Sequence, residues 1–350
     1  MSCPSCLRRH RARCRGFSLV ELLVALAIGL LLISAAVTAY VRSRALFETN
    51  ETVSRLQDTA RYALAVIEPD IELAGYFGSA NRGANLMFVE HGASQAIVAT
   101  AYDMRQKADA PVAAIGSAAH ACGRNFAIDV LRVAEGSNNR FSMGPGAAGG
   151  CSPYAPGAQL GADTLTIRRA SVDTNAATPG RIQLLASRLS SLGRQLMFVD
   201  GHSPVPLDTD HEIHDLVVRT YYVAQSSVDH AHYPALRVKT LTSVSGQPAF
   251  TDSEVVQGIE DLQIQFGIDS AAHTGQVTQY VNPDAPGIES QQIVAVRVWV
   301  RVRAEHPEAG FLDVRTYRYA DVSFTPAGAD RLIRRVLLTR TIALRNARTS

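Results

Sequence analysis

An uncharged stretch near the N-terminus constrains this chain more than any other feature. Leu22–Val41 contains 20 residues and no Asp, Glu, Lys, Arg or His. As a helix it would span about 30 Å, the thickness of a bilayer's hydrocarbon core. The 16 residues before Phe17 carry five Arg and no acid, and positive charge before a span favours the cytoplasmic side. The sequence therefore predicts one membrane-spanning segment over residues 17–41, with the domain that follows outside the cytoplasm.

Composition limits the remaining possibilities without naming a function. The chain has 350 residues, of which 47% are hydrophobic and 19% are charged, and its formal net charge is +2. This length and hydrophobic content favour a folded core over disorder. The small net charge gives no general attraction to nucleic acid, so we expect no nucleic-acid partner.

One carboxylate interrupts the start of the apolar segment. Glu21 lies where an ionised side chain costs about 2.5–3.5 kcal/mol on insertion scales. The string Gly16-Phe17-Ser18-Leu19-Val20-Glu21 resembles the prepilin processing motif of type IV pilins and type II secretion pseudopilins. The resemblance implies that prepilin peptidase cuts between Gly16 and Phe17 and that Phe17 is then N-methylated. It also implies that Glu21 acts in assembly, where the new amino group of a neighbouring subunit can pair with it.

Removal of a leader over residues 1–16 changes how the cysteines are interpreted. Cys3, Cys6, His10 and Cys14 have a spacing compatible with a zinc site, but they would leave with the leader, so we predict no metal there. The mature chain would keep 334 residues, a net charge of −3 and two cysteines, Cys122 and Cys151. Outside the cytoplasm these two are a candidate disulfide. The alternative is two separate small buried side chains.

The chain after the anchor divides into a helix and a strand-rich region. Residues 42–78 are predicted to be the amphipathic, periplasmic half of the helix and its exit, since apolar residues from Leu46 to Ile71 recur at helical spacing. Pro69 is expected to kink or end the helix. Residues 79–350 are predicted to form a globular β-rich domain. The strands predicted there are Phe126–Val133, Asp163–Arg169, Arg181–Leu185, Gln195–Val199, Ile213–Val223, Ala235–Leu241, Gln292–Arg303, Asp313–Phe324 and Leu332–Leu344. Glu254–Ile268 is predicted to be a short turn followed by a strand, and the last two strands are expected to be antiparallel neighbours. The predicted fold class is α+β, with a long helix on a mainly antiparallel sheet and a loop-rich insert.

Several patterns suggest binding chemistry but lack the context it needs. Gly144–Gly149 matches a dinucleotide-binding glycine pattern, yet the prolines that follow forbid the required helix. His211 and His214 would lie on opposite faces of a strand, and they are interpreted, with His230 and His232, as surface or loop residues rather than metal ligands. Asp208, Asp210 and Glu212 lack the glycine and distal Glu of an EF-hand. We therefore predict no cofactor, no metal and no enzymatic activity.

The C-terminal region is rich in arginine. Residues 331–350 contain no acidic residue and six Arg, which alternate with apolar residues: Arg331, Arg334, Arg335, Arg340, Arg345 and Arg348. No aromatic residue offers a stacking platform for nucleic acid bases. This pattern favours a solvated strand surface or one that faces another subunit.

Five stretches resemble PilW-like minor type IV pilins. They are Leu56–Leu64, Asp70–Gly78, Val255–Ile268, Val294–Val302 and Arg334–Asn346. Residues 80–250 match poorly and are interpreted as a variable insert, and residues 251–350 as the family-like sheet. The resemblance implies an inner-membrane protein with a periplasmic domain that later joins the pilus at the cell surface. Implied partners are prepilin peptidase, other minor pilins, the major pilin, the inner-membrane assembly platform and a large tip adhesin.

Two other functions remain open from the sequence. A J-like minor pseudopilin of type II secretion would have the same helix and a related sheet. A membrane-anchored enzyme would need a clustered acid–base site within residues 80–250, and none is recognisable there. The preferred prediction is a minor pilin that helps to initiate pilus assembly in a tip complex.

Overall fold

The computed structural model describes residues 18–78, 85–89, 97–101, 122, 125–143, 151–187, 195–206, 210–270 and 274–347. The chain separates into two compact units, with the division between Thr52 and Val53. Gly16, Phe17 and the leader lie outside the described residues.

One helix, α1, runs from Leu19 to Glu72. Pro69 lies inside it, and the helix continues for three residues beyond Pro69 instead of ending there. Proline removes one N–H from the helix, but its carbonyl still accepts a hydrogen bond from the N–H of Leu73 at 3.1 Å. Gly75 then takes a left-handed conformation with φ +76°, which glycine adopts without a steric penalty. The chain leaves the helix at this glycine.

The first sheet contains nine strands. Their bounds are β1 (Leu86–Val89), β2 (Ile97–Thr100), β3 (Ala134–Ser137), β4 (Thr164–Ala170), β5 (Gln183–Ser187), β6 (Gln195–Phe198), β7 (His211–Ala224), β8 (Ala235–Val244) and β9 (Gln247–Gln257). The order is β2-β1-β6-β5-β7-β4-β3, and β8 pairs with both β7 and β9. Among the described pairs, β1 and β6 run parallel and the others run antiparallel.

The second sheet contains four antiparallel strands in the order β11-β10-β12-β15. Their bounds are β10 (Ile259–Asp269), β11 (Gln279–Val281), β12 (Gln292–Arg303) and β15 (Arg335–Ala343), and a separate hairpin joins β13 (Tyr317–Tyr319) to β14 (Val322–Phe324). One long helix with mostly antiparallel sheets confirms the predicted α+β class.

The main core lies between the second part of α1 and the sheets. Ala60, Ile67 and Ile71 are fully buried there, and the alternating valines of β12 belong to the same cluster. The period-two pattern of Gln292–Arg303 predicted such a buried face. The predicted helical stripe is therefore buried from Leu56 onward, whereas Leu46 remains exposed.

The prediction of a strand over Phe126–Val133 was wrong. Phe126–Ile128 forms a short 3-10 helix, preceded by Asn125 with φ 54°. A left-handed residue at that point bends the chain away from an extended path. The apolar side chains that suggested a strand are buried by this turn, and the strand β3 begins only at Ala134.

Three predictions about the C-terminal half also need correction. Glu254 lies inside β9 instead of in a turn, and the turn occurs at Gly258, where φ is +86°. Asp313–Phe324 is not one strand, because Ala320, with φ 48°, reverses the chain between β13 and β14. Leu332–Leu344 was expected to pair with that segment, but β15 pairs with β12.

Candidate assembly site

The N-terminal helix begins with a serine cap. The N–H of Glu21 donates to the Ser18 hydroxyl oxygen at 3.2 Å, and the N–H of Leu22 donates to the Ser18 carbonyl at 3.1 Å. Serine in this position satisfies an amide that a helix start leaves unpaired. Glu21 thus lies in the first turn, where the helix dipole favours a negative charge.

Residues 22–41 of α1 carry no charge on any side and are largely exposed. Exposed fractions are 75% for Leu19, 58% for Leu23, 71% for Leu31 and 59% for Val41. Among the described residues, α1 is long and apolar enough to cross a membrane. So much contiguous apolar surface is unfavourable in water. Residues 19–41 therefore need a lipid or protein environment, and Glu21 lies at the start of that surface.

The cysteines that the sequence singled out are joined in the structure. Cys122 and Cys151 form a disulfide, with their Cα atoms 5.6 Å apart. Both are buried in a hydrophobic cluster that also contains Phe126 and Met143. The disulfide holds the start of the 151–161 segment against that cluster.

The end of α1 is fixed by a buried ionic cluster around Asp70. The Asp70 carboxylate accepts hydrogen bonds from Arg169 at 2.8 and 3.0 Å, from Arg219 at 3.0 Å and from the Tyr221 hydroxyl at 2.6 Å. Burial, together with the Asp70 charge, raises the pKa of Tyr221 well above its ordinary value, so the hydroxyl keeps its proton and donates it. Burial alone would lower the pKa of Arg219, but Asp70 raises it overall. The cluster joins the helix to β4 and β7.

Four of the C-terminal arginines pair with carboxylates, and two of these four reach the helix. Arg340 lies 2.8 Å from Glu68, and Arg345 lies 2.8 Å from Glu72. The N–H of Arg345 also donates to the Glu72 carbonyl at 3.0 Å. These contacts tie the strand β15 and the residues after it to the last turn of α1.

The prediction of a solvated or subunit-facing strand surface was wrong at Arg335, whereas the side chains of Arg340 and Arg345 are 50% and 68% exposed. Arg335 is 1% exposed and forms hydrogen bonds of 2.8 and 3.0 Å with Glu260. Arg301 bonds the same carboxylate at 3.0 Å. Burial alone would raise the pKa of Glu260, but the hydrogen bonds and charges of Arg335 and Arg301 lower it overall. Arg334 likewise pairs with Glu308 at 2.7 Å, whereas Arg348 lies outside the described residues.

The histidines do not converge on one site. His214 is 2% exposed, which corrects its interpretation as a surface residue, and its Nδ1 lies 2.9 Å from the Ser171 carbonyl. His230 pairs with Glu305 at 3.4 Å, while His232 has φ 64° in the turn before β8. Within the part of the chain that the structure describes, no three His, Cys, Asp or Glu side chains form a metal-binding group. Asp208 and Gly144–Gly149 fall outside that part.

Sequence reasoning missed the ionic contacts that fix the helix end. Glu68 and Glu72 are spaced i,i+4, which places them on one helix face, and this was a usable signal for a basic partner. Nothing local identifies Arg340 and Arg345 as those partners, because the pairing depends on where β15 lies in the sheet.

Two family models match this chain. Residues 220–346 match the family described as type IV pilus-assembly protein W. Residues 11–37 match the prokaryotic N-terminal methylation motif. The first match begins inside β7 and so includes residues 220–250, which the sequence had suggested belong to a variable insert. The matches confirm the resemblance to PilW-like minor type IV pilins.

Similar proteins come from Thermus thermophilus. The pilin-like protein PilA3 is 36% identical over 70 residues, which are 19% of this chain and 30% of that protein. The match thus spans less than a third of that relative's length. A solved type IV-like pilin aligns with a TM-score of 0.25 and 13% identity, covering 56% of this chain and 82% of that one.

Proposed function

We propose that this chain is a minor type IV pilin that helps to initiate pilus assembly in a tip complex with other minor pilins. The observation that supports this proposal is the order of the segments along the chain. A methylation motif over residues 11–37 leads into an exposed apolar helix, and a PilW-like segment over residues 220–346 lies in the folded domain that follows. A chain built in this order can be held in a membrane first and in a filament afterwards.

The first step is anchoring in the inner membrane. Residues 19–41 have the length and composition of a single span, and the arginines before Phe17 favour a cytoplasmic N-terminus. The folded domain would then lie in the periplasm, where the Cys122–Cys151 disulfide is stable.

The second step is processing by prepilin peptidase between Gly16 and Phe17. Cutting removes the arginines that hold the N-terminus at the cytoplasmic surface. It also creates a positive amino group on Phe17, four residues before Glu21. The amino group of Phe17 is then N-methylated. Once cut, the helix end is far less polar than before and can move out of the bilayer into a bundle of subunits.

The third step is pairing of charges between subunits. An ionised Glu21 among apolar helices is costly unless a cation neutralises it. The amino group of Phe17 on a neighbouring subunit supplies that cation. Such a pair forms only when adjacent helices are at the correct axial offset, so Glu21 would set the register of assembly.

The folded domain supplies the surface for its partners. Those we propose are other minor pilins, the major pilin, the inner-membrane assembly platform and a large tip adhesin. The ionic clusters of the domain join its own elements, as with Asp70 at the helix end. We therefore assign the domain a structural role and propose no catalysis.

A J-like pseudopilin of type II secretion is the alternative, and purification from membranes separates the two. The tagged full chain is solubilised from membranes in detergent, and its co-purifying proteins are identified by mass spectrometry. Minor pilins and pilus-platform proteins in the eluate support the proposal. Secretion pseudopilins in their place would overturn it.

Processing is tested separately with Gly16→Val. A β-branched side chain beside the cut should block the peptidase, so the variant should migrate as the longer precursor. Gly29→Val is the matched control, because the Gly29 position has open space around it, and it should be processed normally. Normal processing of Gly16→Val would contradict the proposed cleavage site.

A further inference from the structure

Arg297 on β12 differs from its neighbours Arg301 and Arg335 in having no acidic partner. Arg301 and Arg335 share the buried carboxylate of Glu260 at 3.0 and 2.8 Å. Within the described residues Arg297 forms no ion pair, and its Nε donates to the Thr341 hydroxyl oxygen at 3.3 Å. The two Nη groups of this guanidinium can therefore take a further partner.

The Arg297 side chain is held in place by aromatic rings. Its guanidinium carbon lies 3.6 Å from the centre of the Tyr280 ring and 5.8 Å from that of Trp299. Tyr280 reaches it across β10 because Gly267, which is opposite Tyr280 in the register, has no side chain. A Cβ on Gly267 would lie 3.0 Å from the Tyr280 ring. Stacking on a ring orients the planar guanidinium without neutralising its charge.

These side chains lie on the face of the second sheet that is turned away from α1. The valines that alternate with Arg297 and Trp299 in β12 belong to the core cluster that contains the α1 residues, so Arg297 and Trp299 point the other way. Thr341 and Thr339 lie opposite them on β15, and both threonines are exposed. Together with Tyr280, these four residues are named the Arg297 face.

The fold covers one end of this side of the sheet and leaves the Arg297 face open. Arg301 lies four positions further along β12 on the same side, and the Phe324 ring of β14 covers it at 3.9 Å. Arg301 is consequently 6% exposed. Arg297 and Trp299 are only half-buried, although tryptophan is a residue that folding usually buries to a large extent.

Charge favours an acidic occupant. Residues 291–350 contain 11 Arg and five acidic residues, a net charge of +6, whereas residues 17–290 have a net charge of −9. Two Nη groups in one plane match the two oxygens of a carboxylate.

The residue types and the shape favour a protein as that occupant. Trp, Tyr and Arg are the residues that contribute most to the affinity of protein–protein interfaces. Small molecules bind in concave sites, whereas the open face of a sheet suits another protein surface.

We propose that the Arg297 face docks a partner protein that presents an Asp or Glu side chain to Arg297 and an apolar side chain to Trp299. The carboxylate accepts two hydrogen bonds from the guanidinium, and the hydroxyls of Thr339 and Thr341 bond polar groups around it. The chemistry of this contact rests on the Arg297 face alone. That the partner is a pilus subunit rests on the proposed function.

Photo-crosslinking in living cells tests the Arg297 face. The photoreactive residue p-benzoylphenylalanine replaces Thr339 in the tagged full chain, and the crosslinked product is identified by mass spectrometry. Thr251, an exposed threonine on β9 of the first sheet, is the matched control position. We expect the Thr339 position to capture one protein through a peptide that contains Asp or Glu, and the Thr251 position not to give that product.

Charge variants separate this contact from nonspecific capture. Arg297→Glu should lower the crosslinking yield at least about tenfold, because it places two carboxylates against each other. Arg297→Lys keeps the charge but loses the planar fork, and should lower the yield by a smaller factor. Arg318→Glu, which reverses an exposed arginine on β13, should leave the yield unchanged. The unfolding midpoint of each variant should stay within about 2 °C of wild type, which excludes misfolding as the cause.

The outcomes for this face and for the proposed function are distinguishable. An unchanged yield with Arg297→Glu, or no protein product from the Thr339 position, would overturn the proposed contact. A product that joins two copies of this chain, or that attaches to polysaccharide, would also overturn it. Capture of a secretion pseudopilin through an acidic peptide would support the Arg297 face and overturn the proposed function, whereas capture of a pilus subunit in this way would support both.

Discussion

Residues 19–52 and residues 53–72 share one helix, α1, but differ in where their side chains find partners. In the second stretch the apolar residues Leu56, Leu64 and Ile67 are at most 4% exposed. In the first stretch Leu23 and Leu31 are 58% and 71% exposed. The folded chain therefore buries the apolar side chains of the second stretch and leaves those of the first stretch exposed.

The carboxylates at the two ends of α1 show the same contrast. Glu68, Asp70 and Glu72 each pair with arginine at 2.8 Å. Within the described residues the Glu21 carboxylate makes no ion pair, although it too lies on α1. The difference indicates that residues 53–72 serve folding and that residues 19–41 are kept for a membrane or for other subunits.

The largest expected effect is at Asp70. Asp70→Ala leaves Arg169 and Arg219 without their buried partner, and the free energy of unfolding should fall by about 3–5 kcal/mol. Chemical denaturation of the full chain in detergent measures this. Asp58→Ala is the control on the same helix, because Asp58 and Arg61 are both 70% exposed, and it should change stability by less than about 1 kcal/mol. Similar losses for both variants would contradict the comparison.

Core truncation should give the next largest effect. Ile67 is fully buried, so Ile67→Ala should lower the free energy of unfolding by about 3 kcal/mol through lost burial and a cavity. Leu31→Ala, at a side chain that is 71% exposed, should leave the same transition unchanged. If Leu31→Ala were equally destabilising, residues 19–41 would have partners within the chain after all.

Glu260, which pairs with two arginines, gives a smaller, pH-dependent effect. Glu260→Gln keeps the shape but removes the charge facing Arg335 and Arg301, and should cost about 2 kcal/mol at pH 7. The pKa of Glu260 is lowered in the folded state, so its contribution is present above about pH 4.3, the unfolded value, and is lost as the pH falls through the folded value. Unfolding measured against pH should show the wild type and the variant converging in acid. Glu21→Gln is the control, and it should leave the free energy of unfolding at pH 7 unchanged.

The smallest expected effect is at Arg345 in the helix clamp, by which we mean the ion pairs Arg340–Glu68 and Arg345–Glu72. Arg345 is 68% exposed beside Glu72, and Arg345→Ala should cost about 0.5 kcal/mol. High salt should reduce the difference from wild type. Arg44→Ala, which breaks the exposed i,i+4 pair with Glu48, should leave the unfolding of the domain unchanged. A loss of several kcal/mol for Arg345→Ala would show that the clamp is a main stabilising contact.

The sequence predicted those features of the fold that are encoded by residues close together in the chain. The apolar segment Leu22–Val41 follows from the length of its uncharged run. The buried stripe from Leu56 onward and the two faces of β12 follow from periodicity. The prediction failed at Phe126–Val133 and at Asp313–Phe324, where the left-handed residues Asn125 and Ala320 turn the chain. Asparagine adopts this conformation more readily than most residues, so Asn125 was a usable turn signal, whereas Ala320 was not.

Long-range pairing was beyond sequence reasoning. Arg335 meets Glu260 only because β15 lies beside β12 and β12 beside β10. The same limit applies to Asp70 and Arg169, which lie 99 residues apart in the chain. Gly16, Phe17 and Glu21 were recognisable because the motif that contains them is contiguous.

The most direct test of the central claim is pilus assembly by Glu21→Ala. Surface pili and the amount of the protein in the inner membrane are measured together, with Glu51→Ala as the control for an exposed acid on the same helix. We expect Glu21→Ala to insert at the wild-type level but to assemble few pili, and Glu51→Ala to behave as wild type. Normal piliation by Glu21→Ala would contradict the claim that the partners of this helix are other subunits.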